Sequence, residues 1–394
     1  MLAVIGTHPI QYHAPVYRML QTRFNLPVTA IYGSDFSVAG YRDTEFDADF
    51  AWDTDLLSGY SQVFLSRVSE GGARTFGEVS SLGLREALRK IAPRAVLVLG
   101  YSPRFNRASF YEAWKAGCRI LFRGETADHA RSRTPIVALA RDGLLRRLYA
   151  NSARLLYIGQ RSYQHYKRLN CPDEKLVFSP YCVDTSTFEV DERARARLRP
   201  AMRESLGISE EQVVLLFSGK LSRRKGPELI LQAARQLPSD LRERVAVVFL
   251  GGGQLAEELG RLAREEPRLS VSFPGFQNQT QLSRYYHAAE VLVLPSREGE
   301  TWGLVVNEAL HHGLPCVVSD AVGCAPDLIE SGVTGHTFES GSSHSLASVL
   351  RQAFGLIGRD DVRLSCRQKV SGYGVEDAAR GIAEAYSQVV RCAH

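Results

Sequence analysis

Short apolar runs alternate with stretches of helical periodicity along almost the whole chain. The runs fit buried strands, and the stretches between them carry apolar residues at a spacing of three and four. This alternation is typical of parallel sheets covered by helices on both faces. In the first half of the chain the pattern predicts these strands: Leu2–Ile5, Pro27–Ile31, Val63–Leu65, Ala95–Leu99, Arg119–Phe122, Leu155–Ile158 and Leu176–Ser179.

The alternation breaks once, where the sequence from Asp184 to Pro200 is rich in Arg and Glu and has no strand pattern. We predict a linker there that leads into the helix of a second unit. A second series of strands is then predicted: Val213–Ser218, Ala246–Leu250, Leu269–Phe273, Val291–Leu294, Cys316–Ser319 and Gly335–Phe338. We expect an α/β fold with two doubly wound Rossmann-like domains, 1–183 and 184–374, facing a cleft that holds ligand at the carboxyl ends of strands.

Length and composition agree with this organisation. With 394 residues and about 150 residues per domain, two or three domains are expected, and a hydrophobic content of 44% can fill large cores. A net charge of +5, with the basic residues spread out, gives little support to nucleic-acid binding. The seven cysteines are odd in number, dispersed and without a C-x-x-C pair, which indicates neither a disulfide framework nor a zinc site.

The location predicted from the sequence is cytoplasmic. Met1 to Ile5 leads directly into a strand without the pattern of a signal peptide, and no apolar run approaches the ~20 residues that span a bilayer. Arg-rich pieces such as Arg141 to Arg147 are expected to form a solvated helix face. Contact of such pieces with anionic lipid at the inner face of the membrane is the alternative.

Two carboxylates, Glu300 and Glu308, flank a predicted junction between a strand and a helix. The helix should begin near Gly303, where free N–H groups and the positive end of the helix dipole form an anion site. Glycine at that point lets a phosphate approach the backbone closely. At about 1.5 Å of rise per residue, the carboxylates lie on the order of 10 Å apart. This separation suits a nucleoside diphosphate sugar, with one sugar at each end and the phosphates between them.

The stretch from Pro295 to Ser319 resembles the E-x7-E signature of glycosyltransferase family 4, whose members are retaining, use nucleotide sugars and have the GT-B fold. The resemblance implies that Glu300 lies beside the transferred sugar and that Glu308 holds the ribose. It also implies that the diphosphate is bound by the N–H groups that follow the glycine, at Gly303, Leu304 and Val305. Alternatively, the two glutamates are solvated charges, but the surrounding motif favours a site.

The segment from Phe217 to Ala233 resembles the phosphate-binding turn of the same family. It follows a predicted strand at Gly219 and carries Lys220 and Lys225. Cations beside a helix start can stabilise a departing diphosphate without a metal ion, so neither a metal nor a cofactor is expected. Lys225 matches the lysine of the family. Lys220 stands where the family usually has Arg, which replaces a bidentate contact with a point charge.

The segment from Phe273 to Asn278 resembles the family's contact with the nucleotide base. Phe276 either touches the base or packs against the domain, and the sequence does not decide between them.

The first domain departs from the glycine-rich loop that is usual in the family. Its first strand runs into a polar loop that should face the cleft. We predict that His8, Gln11, Tyr12 and His13 line the donor or acceptor pocket. A metal bound by the two histidines is disfavoured because their spacing is poor for one helix face and no carboxylate lies nearby in sequence.

A second polar stretch follows the strand that ends at Phe122. The family often has a histidine in this region that touches the donor sugar. Here Arg123 and Glu125 are predicted to take that place, with His129 as a substitute. The alternative is that Arg123 and Glu125 pair with each other at the domain edge.

The last helical pattern runs from Val375 to Val390, and the resemblance implies that residues 375–394 cross back onto the first domain. Together these features predict a retaining hexosyltransferase of polysaccharide biosynthesis. Its donor is expected to be a nucleotide sugar, UDP-linked in our interpretation, and its acceptor a hydroxyl of a glycan, a lipid-linked saccharide or a small molecule. Two alternatives remain: a nucleotide-sugar epimerase of the same architecture, and a non-catalytic nucleotide-sugar-binding scaffold.

Overall fold

The computed structural model describes residues 1–43, 48–50, 53–126, 128 and 134–391. The amino-terminal half of the chain forms the first parallel sheet. Its strands, with a small antiparallel pair (β3 and β4), are β1 (Leu2–Gly6), β2 (Val28–Tyr32), β3 (Tyr41–Asp43), β4 (Ala48–Phe50), β5 (Ser61–Phe64), β6 (Ala95–Leu99), β7 (Ile120–Arg123), β8 (Arg154–Tyr157) and β9 (Leu176–Phe178). The seven strands of the sheet lie in the order β5-β2-β1-β6-β7-β8-β9. Its helices are α1 (Ala14–Thr22), α2 (Leu84–Ile91), α3 (Arg104–Lys115), α4 (Pro135–Ala150) and α5 (Gln160–Arg168).

The second sheet has six parallel strands in the order β12-β11-β10-β13-β14-β15. They are β10 (Val213–Ser218), β11 (Val245–Leu250), β12 (Ser270–Gly275), β13 (Val291–Leu294), β14 (Cys316–Ser319) and β15 (Gly335–Phe338). The helices of this half are α6 (Glu192–Ser205), α7 (Glu228–Arg235), α8 (Ser239–Arg242), α9 (Ala256–Arg264), α10 (Gln279–Ala288), α11 (Leu304–His311), α12 (Ala325–Leu328), α13 (Ser343–Ala353), α14 (Asp360–Val370) and α15 (Val375–Arg391). None of the described helices combines the length and apolar character needed to cross a membrane.

The central strands of both sheets are buried on both faces, which explains why these strands are almost continuously apolar. In β1, Leu2 and Val4 belong to one core layer, whereas Ala3 and Ile5 belong to the layer on the opposite face. Successive side chains of a strand point to opposite faces, so a strand covered on both sides must be apolar at every position. The two predicted series of strands are therefore recovered to within a few residues.

One prediction needs correction. The charged stretch from Asp184 to Pro200 is only partly a linker, because α6 begins inside it at Glu192 and continues through Pro200. The carboxylate of Asp191 accepts a hydrogen bond from the N–H of Ala194 at 2.8 Å and so caps the helix start. The absence of an apolar periodicity concealed this helix.

The last helix, α15, packs against α1 and β9 of the first sheet, as predicted. Its approach to β9 is so close that a Cβ at Gly381 would lie 1.9 Å from the carbonyl oxygen of Phe178. Ala378 and Ile382 are buried in the core layer between this helix and the sheet. The carboxyl-terminal helix therefore joins the half of the molecule that contains the first strand.

A contact between α5 and α12 fixes the two sheets relative to each other. The backbone N–H of Gln160, in the first turn of α5, donates to a carboxylate oxygen of Asp327 at 3.0 Å. Its neighbour Gly159 lies against Trp302, and a Cβ there would be 2.4 Å from the indole ring. This contact places the carboxyl ends of β1 and β10 on the same cleft.

Candidate active site

A cavity of about 290 Å³ lies between the two sheets, at the carboxyl ends of their strands. The first half of the chain contributes Gln11 and Tyr12, from the loop after β1. The second half contributes the other lining residues: Ser218, Gly219, Lys220, Arg224, Lys225, Leu250, Gly251, Phe276, Gln277, Gln279, Leu282, Val305 and Glu308. The cavity therefore brings together residues from both predicted halves of the site.

The predicted phosphate-binding turn lies between β10 and α7. Gly219 follows the strand with a φ of 145°, a conformation that side-chain-bearing residues rarely adopt. The neighbouring turn after β11 touches it, since a Cβ at Gly251 would lie 2.0 Å from the carbonyl oxygen of Gly219. Both glycines line the cavity, together with Lys220 and Lys225.

Lys225 crosses from this turn to Glu300, and the two side chains form a hydrogen-bonded ion pair. Ser296 Oγ also donates to Glu300 Oε2 at 2.9 Å. Burial acts to raise the pKa of Glu300, but Lys225, Arg224 and Ser296 together outweigh it and hold the pKa below its ordinary value. Glu300 is therefore an ionised carboxylate with a cation in contact.

Arg224 is a site residue that the sequence analysis missed. It lines the cavity with the two lysines, and its Nη1 atom lies 3.9 Å from Glu300 Oε2 and 3.3 Å from the carbonyl oxygen of Gly299. Arg223 is 80% exposed and lies 3.8 Å from Glu258. The run of three basic residues was a signal for a cationic site, but it gave no sign of which arginine faces the cleft.

Helix α11 begins at the cavity, as the sequence predicts. Gly303 precedes it with a φ of 105°, and a Cβ there would lie 3.0 Å from Val322 and 3.1 Å from Leu294. The first amide groups of a helix have no partner inside it, so those of Leu304 and Val305 are suited to an anion. Val305 itself lines the cavity.

Glu308, one turn further along α11, has an environment opposite to that of Glu300. Its side chain is buried, and the hydroxyl of Tyr286 donates to Oε2 at 2.5 Å. Burial raises the pKa of Glu308 to about 7, although the hydrogen bond from Tyr286 acts in the other direction. The two glutamates therefore differ in charge near neutral pH, with Glu300 ionised and Glu308 close to its midpoint.

Tyr12 and Gln11 bring the first half of the chain to these carboxylates. The pKa of Tyr12 is raised by burial and, in addition, by the nearby charges of Glu308 and Glu300. Within the described residues, the Oε1 atom of Gln11 is buried and has no hydrogen-bond partner. A buried acceptor without a donor marks a place for a polar ligand or a water molecule.

The two histidines of the same loop are buried and are not among the residues that line the cavity. His8 stacks on Phe36, with ring centroids 4.4 Å apart. Burial lowers the pKa of His8 to about 4, while burial, Arg123 and His8 together lower the pKa of His13 to about 3. Both rings are neutral, and the Nε2 atom of His13 has no partner among the described residues.

Arg123 and Glu125 each contact the side chain of a third residue, Tyr181. The guanidinium of Arg123 lies 5.1 Å from the centre of the Tyr181 ring and donates to the carbonyl oxygen of Pro180 at 2.8 Å. The hydroxyl of Tyr181 donates to Glu125. The alternative of an Arg123–Glu125 ion pair is therefore wrong for the chain as described, and His129 lies outside the described residues.

Phe276 follows β12 directly and forms part of the cavity wall, so contact with a base remains a prediction. No group of three or more His, Cys, Asp or Glu side chains in the described ranges is arranged to hold a metal ion. Metal-independent chemistry likewise remains a prediction.

Comparison with known proteins shows that part of the chain is similar to glycosyltransferases. Residues 199–355, which contain both lysines and both glutamates, match the family model described as glycosyl transferases group 1. D-inositol 3-phosphate glycosyltransferase 1 of Catenulispora acidiphila is 33% identical over 222 residues, which is 53% of this chain and 50% of that protein. The chain thus spans about half the length of the curated relatives it matches.

Solved structures match nearly the whole chain. Anabaena HepE in complex with UDP and glucose has a TM-score of 0.69 at 15% identity, over 98% of this chain and 99% of the other. Sucrose-phosphate synthase from Thermosynechococcus elongatus has a TM-score of 0.68 at 17% identity, over 100% and 99% of the two chains. At these identities the similarity establishes the fold, which is the GT-B fold of two Rossmann-like domains with a carboxyl-terminal helix, as predicted.

Proposed function

We propose that this protein is a retaining glycosyltransferase of the family 4 type, which transfers a sugar from a nucleotide donor to an acceptor hydroxyl. The observation that carries the proposal is the arrangement of charge along one cavity. Three cations and a helix start line the cavity, the ionised Glu300 contacts one of these cations, Lys225, and the buried Glu308, which is close to its midpoint near neutral pH, lines the cavity itself. This pattern fits a diphosphate flanked by two sugars.

We infer the position of the donor from this pattern of charge. Lys225, Lys220 and Arg224 bind the diphosphate together with the amide groups of Leu304 and Val305. Glu308 accepts hydrogen bonds from the ribose. Phe276 lies against the base, and UDP is the nucleotide we favour, because HepE, one of the similar structures, holds UDP.

The reaction proceeds with retention at the anomeric carbon and without an enzymic nucleophile. As the bond from the anomeric carbon to the phosphate oxygen breaks, negative charge grows on the diphosphate, where the cations stabilise it. The departing phosphate oxygen takes the proton of the acceptor hydroxyl, and the acceptor oxygen bonds to the same face of the sugar. Glu300 positions the sugar, and the balance of charge requires no divalent metal.

The acceptor enters from the half of the cleft formed by the first sheet. Gln11 offers an unpartnered buried acceptor atom there, and Arg123, Glu125 and Tyr181 form a connected polar group nearby. Polar side chains on both sides of the cavity suit a hydroxyl-rich acceptor such as a glycan, a lipid-linked saccharide or a small polyol.

A panel of nucleotide sugars, followed by product analysis, tests the proposal. The correct donor at 100 times its dissociation constant should stabilise the protein by roughly 2.7 kcal/mol in a thermal shift assay. With that donor and a mixture of glycan acceptors, NMR should show a glycoside with the donor's anomeric configuration. A sugar nucleotide altered without any acceptor would instead identify an epimerase. Tight binding with no turnover in either assay would identify a scaffold.

A further inference from the structure

Helix α4 (Pro135–Ala150) carries its apolar residues on the outside. Ile136 is 82% exposed and Leu139 is 71% exposed, although a helix that covers a sheet normally turns such residues inward. Val137 and Leu144 are exposed on the same side. Isolated apolar residues on a surface are common, but four on one side of one helix form a patch that requires an explanation.

The contacts on the inner face of α4 explain why the helix does not rotate about its axis to bury its apolar residues. Asp142 is buried and forms a two-pronged ion pair with Arg168, with contacts of 2.5 and 3.0 Å. Arg141 Nε donates to the hydroxyl of Tyr101 at 3.1 Å. Leu145 and Tyr149 fill the core layer beneath the helix. Rotating the outer residues inward would expose this core and bury unpaired charges, so their exposure is built into the fold.

Helix α3 (Arg104–Lys115) also carries exposed apolar side chains. Its Phe110 lies in the same core layer as Leu145, so both helices cover the same side of the sheet. On the outer surface, Tyr111 and Trp114 stack with ring centroids 6.2 Å apart, and Lys115 lies 4.8 Å from the centre of the Tyr111 ring. Six large apolar side chains of the two helices are exposed: Tyr111, Trp114, Ile136, Val137, Leu139 and Leu144.

The charges on these outer faces have one sign. The exposed basic residues are Arg104, Arg107, Lys115, Arg146 and Arg147. No Asp or Glu is among the exposed residues of the ranges Arg104–Lys115 and Pro135–Ala150, because Asp142 is buried and Glu112 pairs with Arg85. Arg146 and Arg147 form no ion pair with another described side chain, so their charge is available to an external anion.

We propose that the outer faces of α3 and α4, here called the α3–α4 face, bind the surface of an anionic lipid bilayer. A bilayer offers apolar chains to Ile136 and Leu139, an interface that suits Tyr111 and Trp114, and phosphate groups to the arginines. An anionic lipid surface attracts basic side chains and repels carboxylates, and the exposed charges of the α3–α4 face are all basic. The inference does not depend on the proposed reaction.

The position of the α3–α4 face relates it to the cleft. Helix α4 follows β7, whose carboxyl end carries Arg123, so the apolar first turns of α4 lie at the cleft edge of the sheet. Docking through this face brings the mouth of the acceptor half close to the lipid surface. A membrane-anchored acceptor would then reach the cleft without leaving the bilayer.

Vesicle co-sedimentation of the full chain tests the proposal. We expect the chain to bind phosphatidylglycerol-rich vesicles at least about tenfold more strongly than phosphatidylcholine vesicles. Salt at about 0.5 M should weaken this binding. Ile136→Ser/Leu139→Ser and Arg146→Glu/Arg147→Glu should each reduce binding by about tenfold or more. As matched controls on the second sheet's side of the molecule, Leu364→Ser and Arg351→Glu should bind vesicles like the parent chain.

Two further measurements on each variant, its circular dichroism spectrum and its affinity for a nucleoside diphosphate, separate a loss of vesicle binding from unfolding and from a change in the proposed active site. Each variant should retain the circular dichroism spectrum and the nucleoside diphosphate affinity of the parent, since none of the substituted residues lines the cavity. Equal binding to both kinds of vesicle, or folded variants that bind anionic vesicles as well as the parent does, would overturn the proposal. So would a parent chain that ignores vesicles but self-associates through this face.

Discussion

The side chains of Lys225 and Glu300, which lie 75 positions apart in the sequence, form a hydrogen-bonded ion pair at the wall of the cavity. The side chains are only 13% and 11% exposed, so each is the main counter-charge of the other. Removing one member of such a pair leaves a largely buried charge without its partner. The pair therefore connects stability with the proposed chemistry, and the two effects must be separated by experiment.

Lys225→Ala should reduce turnover by about tenfold or more, because a cation that stabilises the departing diphosphate is lost. It should also lower the free energy of unfolding, by on the order of 3 kcal/mol, because Glu300 loses its partner. The double variant Lys225→Ala/Glu300→Gln should regain much of that stability but no turnover. Urea unfolding and steady-state rates of the three proteins provide the measurement. Full turnover in Lys225→Ala at saturating donor would remove this lysine from the mechanism.

The two glutamates should respond differently to substitution by glutamine. Glu308→Gln should chiefly weaken the binding of both the donor and the free nucleoside diphosphate, because the ribose is the same in both. Glu300→Gln should leave the affinity for free nucleoside diphosphate nearly unchanged and lower the turnover, because it acts at the sugar. Calorimetry with the nucleoside diphosphate, together with rates, checks both. The reverse pattern would mean that the donor lies in the opposite direction along α11.

Donor affinity should depend on pH through Glu308. Its pKa in the free protein is about 7, and ribose hydroxyls that donate to the ionised carboxylate should lower it in the complex. Affinity should therefore rise as pH increases towards 7, by about tenfold for each unit of difference between the two pKa values, and level off above it. Titration with an intact nucleotide sugar avoids the ionisation of a terminal phosphate. The dependence should vanish in Glu308→Gln; affinity that falls as pH rises towards 7 would mean that the protonated carboxyl binds the ribose.

Arg224 should contribute to diphosphate binding and Arg223 should not. Loss of a charge-assisted hydrogen bond by Arg224→Ala should weaken nucleoside diphosphate binding by about tenfold or more. Arg223→Ala removes the same charge from the same turn, but the side chain of Arg223 lies near Glu258 and does not line the cavity. It is therefore a matched control and should change affinity by less than about twofold. Equal losses in both variants would indicate a general effect of charge instead of a contact.

Turnover should survive prolonged treatment with a chelator, because the cations and the start of α11 serve as the counter-charge of the leaving group. The measurement is the rate before and after removal of divalent ions, followed by addition of Mg²⁺ or Mn²⁺. Activity that is lost on chelation and restored by either ion would contradict the proposed mechanism.

The sequence by itself determined the two series of strands and the parts of the site that lie within single βα units. Both kinds of information are local. A strand covered on both faces must be apolar throughout, and a phosphate site at a helix start needs its glycine and its cations within one turn of chain. For this reason the local pattern could single out Gly219, Lys225 and Glu308, which line the cavity, and Gly303, which precedes α11, although their roles remain predictions. The start of α6 was missed because a helix rich in charge has no apolar period to reveal it.

The tertiary structure alone decided which residues meet across the cleft and which surfaces face outward. Arg223 and Arg224 are adjacent and chemically identical, and only the packing of their turn against the loop of Gly299 turns one inward. Tyr12 and Glu308 line the same cavity because the contact between α5 and α12 fixes the two sheets relative to each other. The apolar side of α4 faces outward because Asp142 is held beneath the helix by Arg168. These outcomes depend on contacts between distant segments, which no local pattern of residues records.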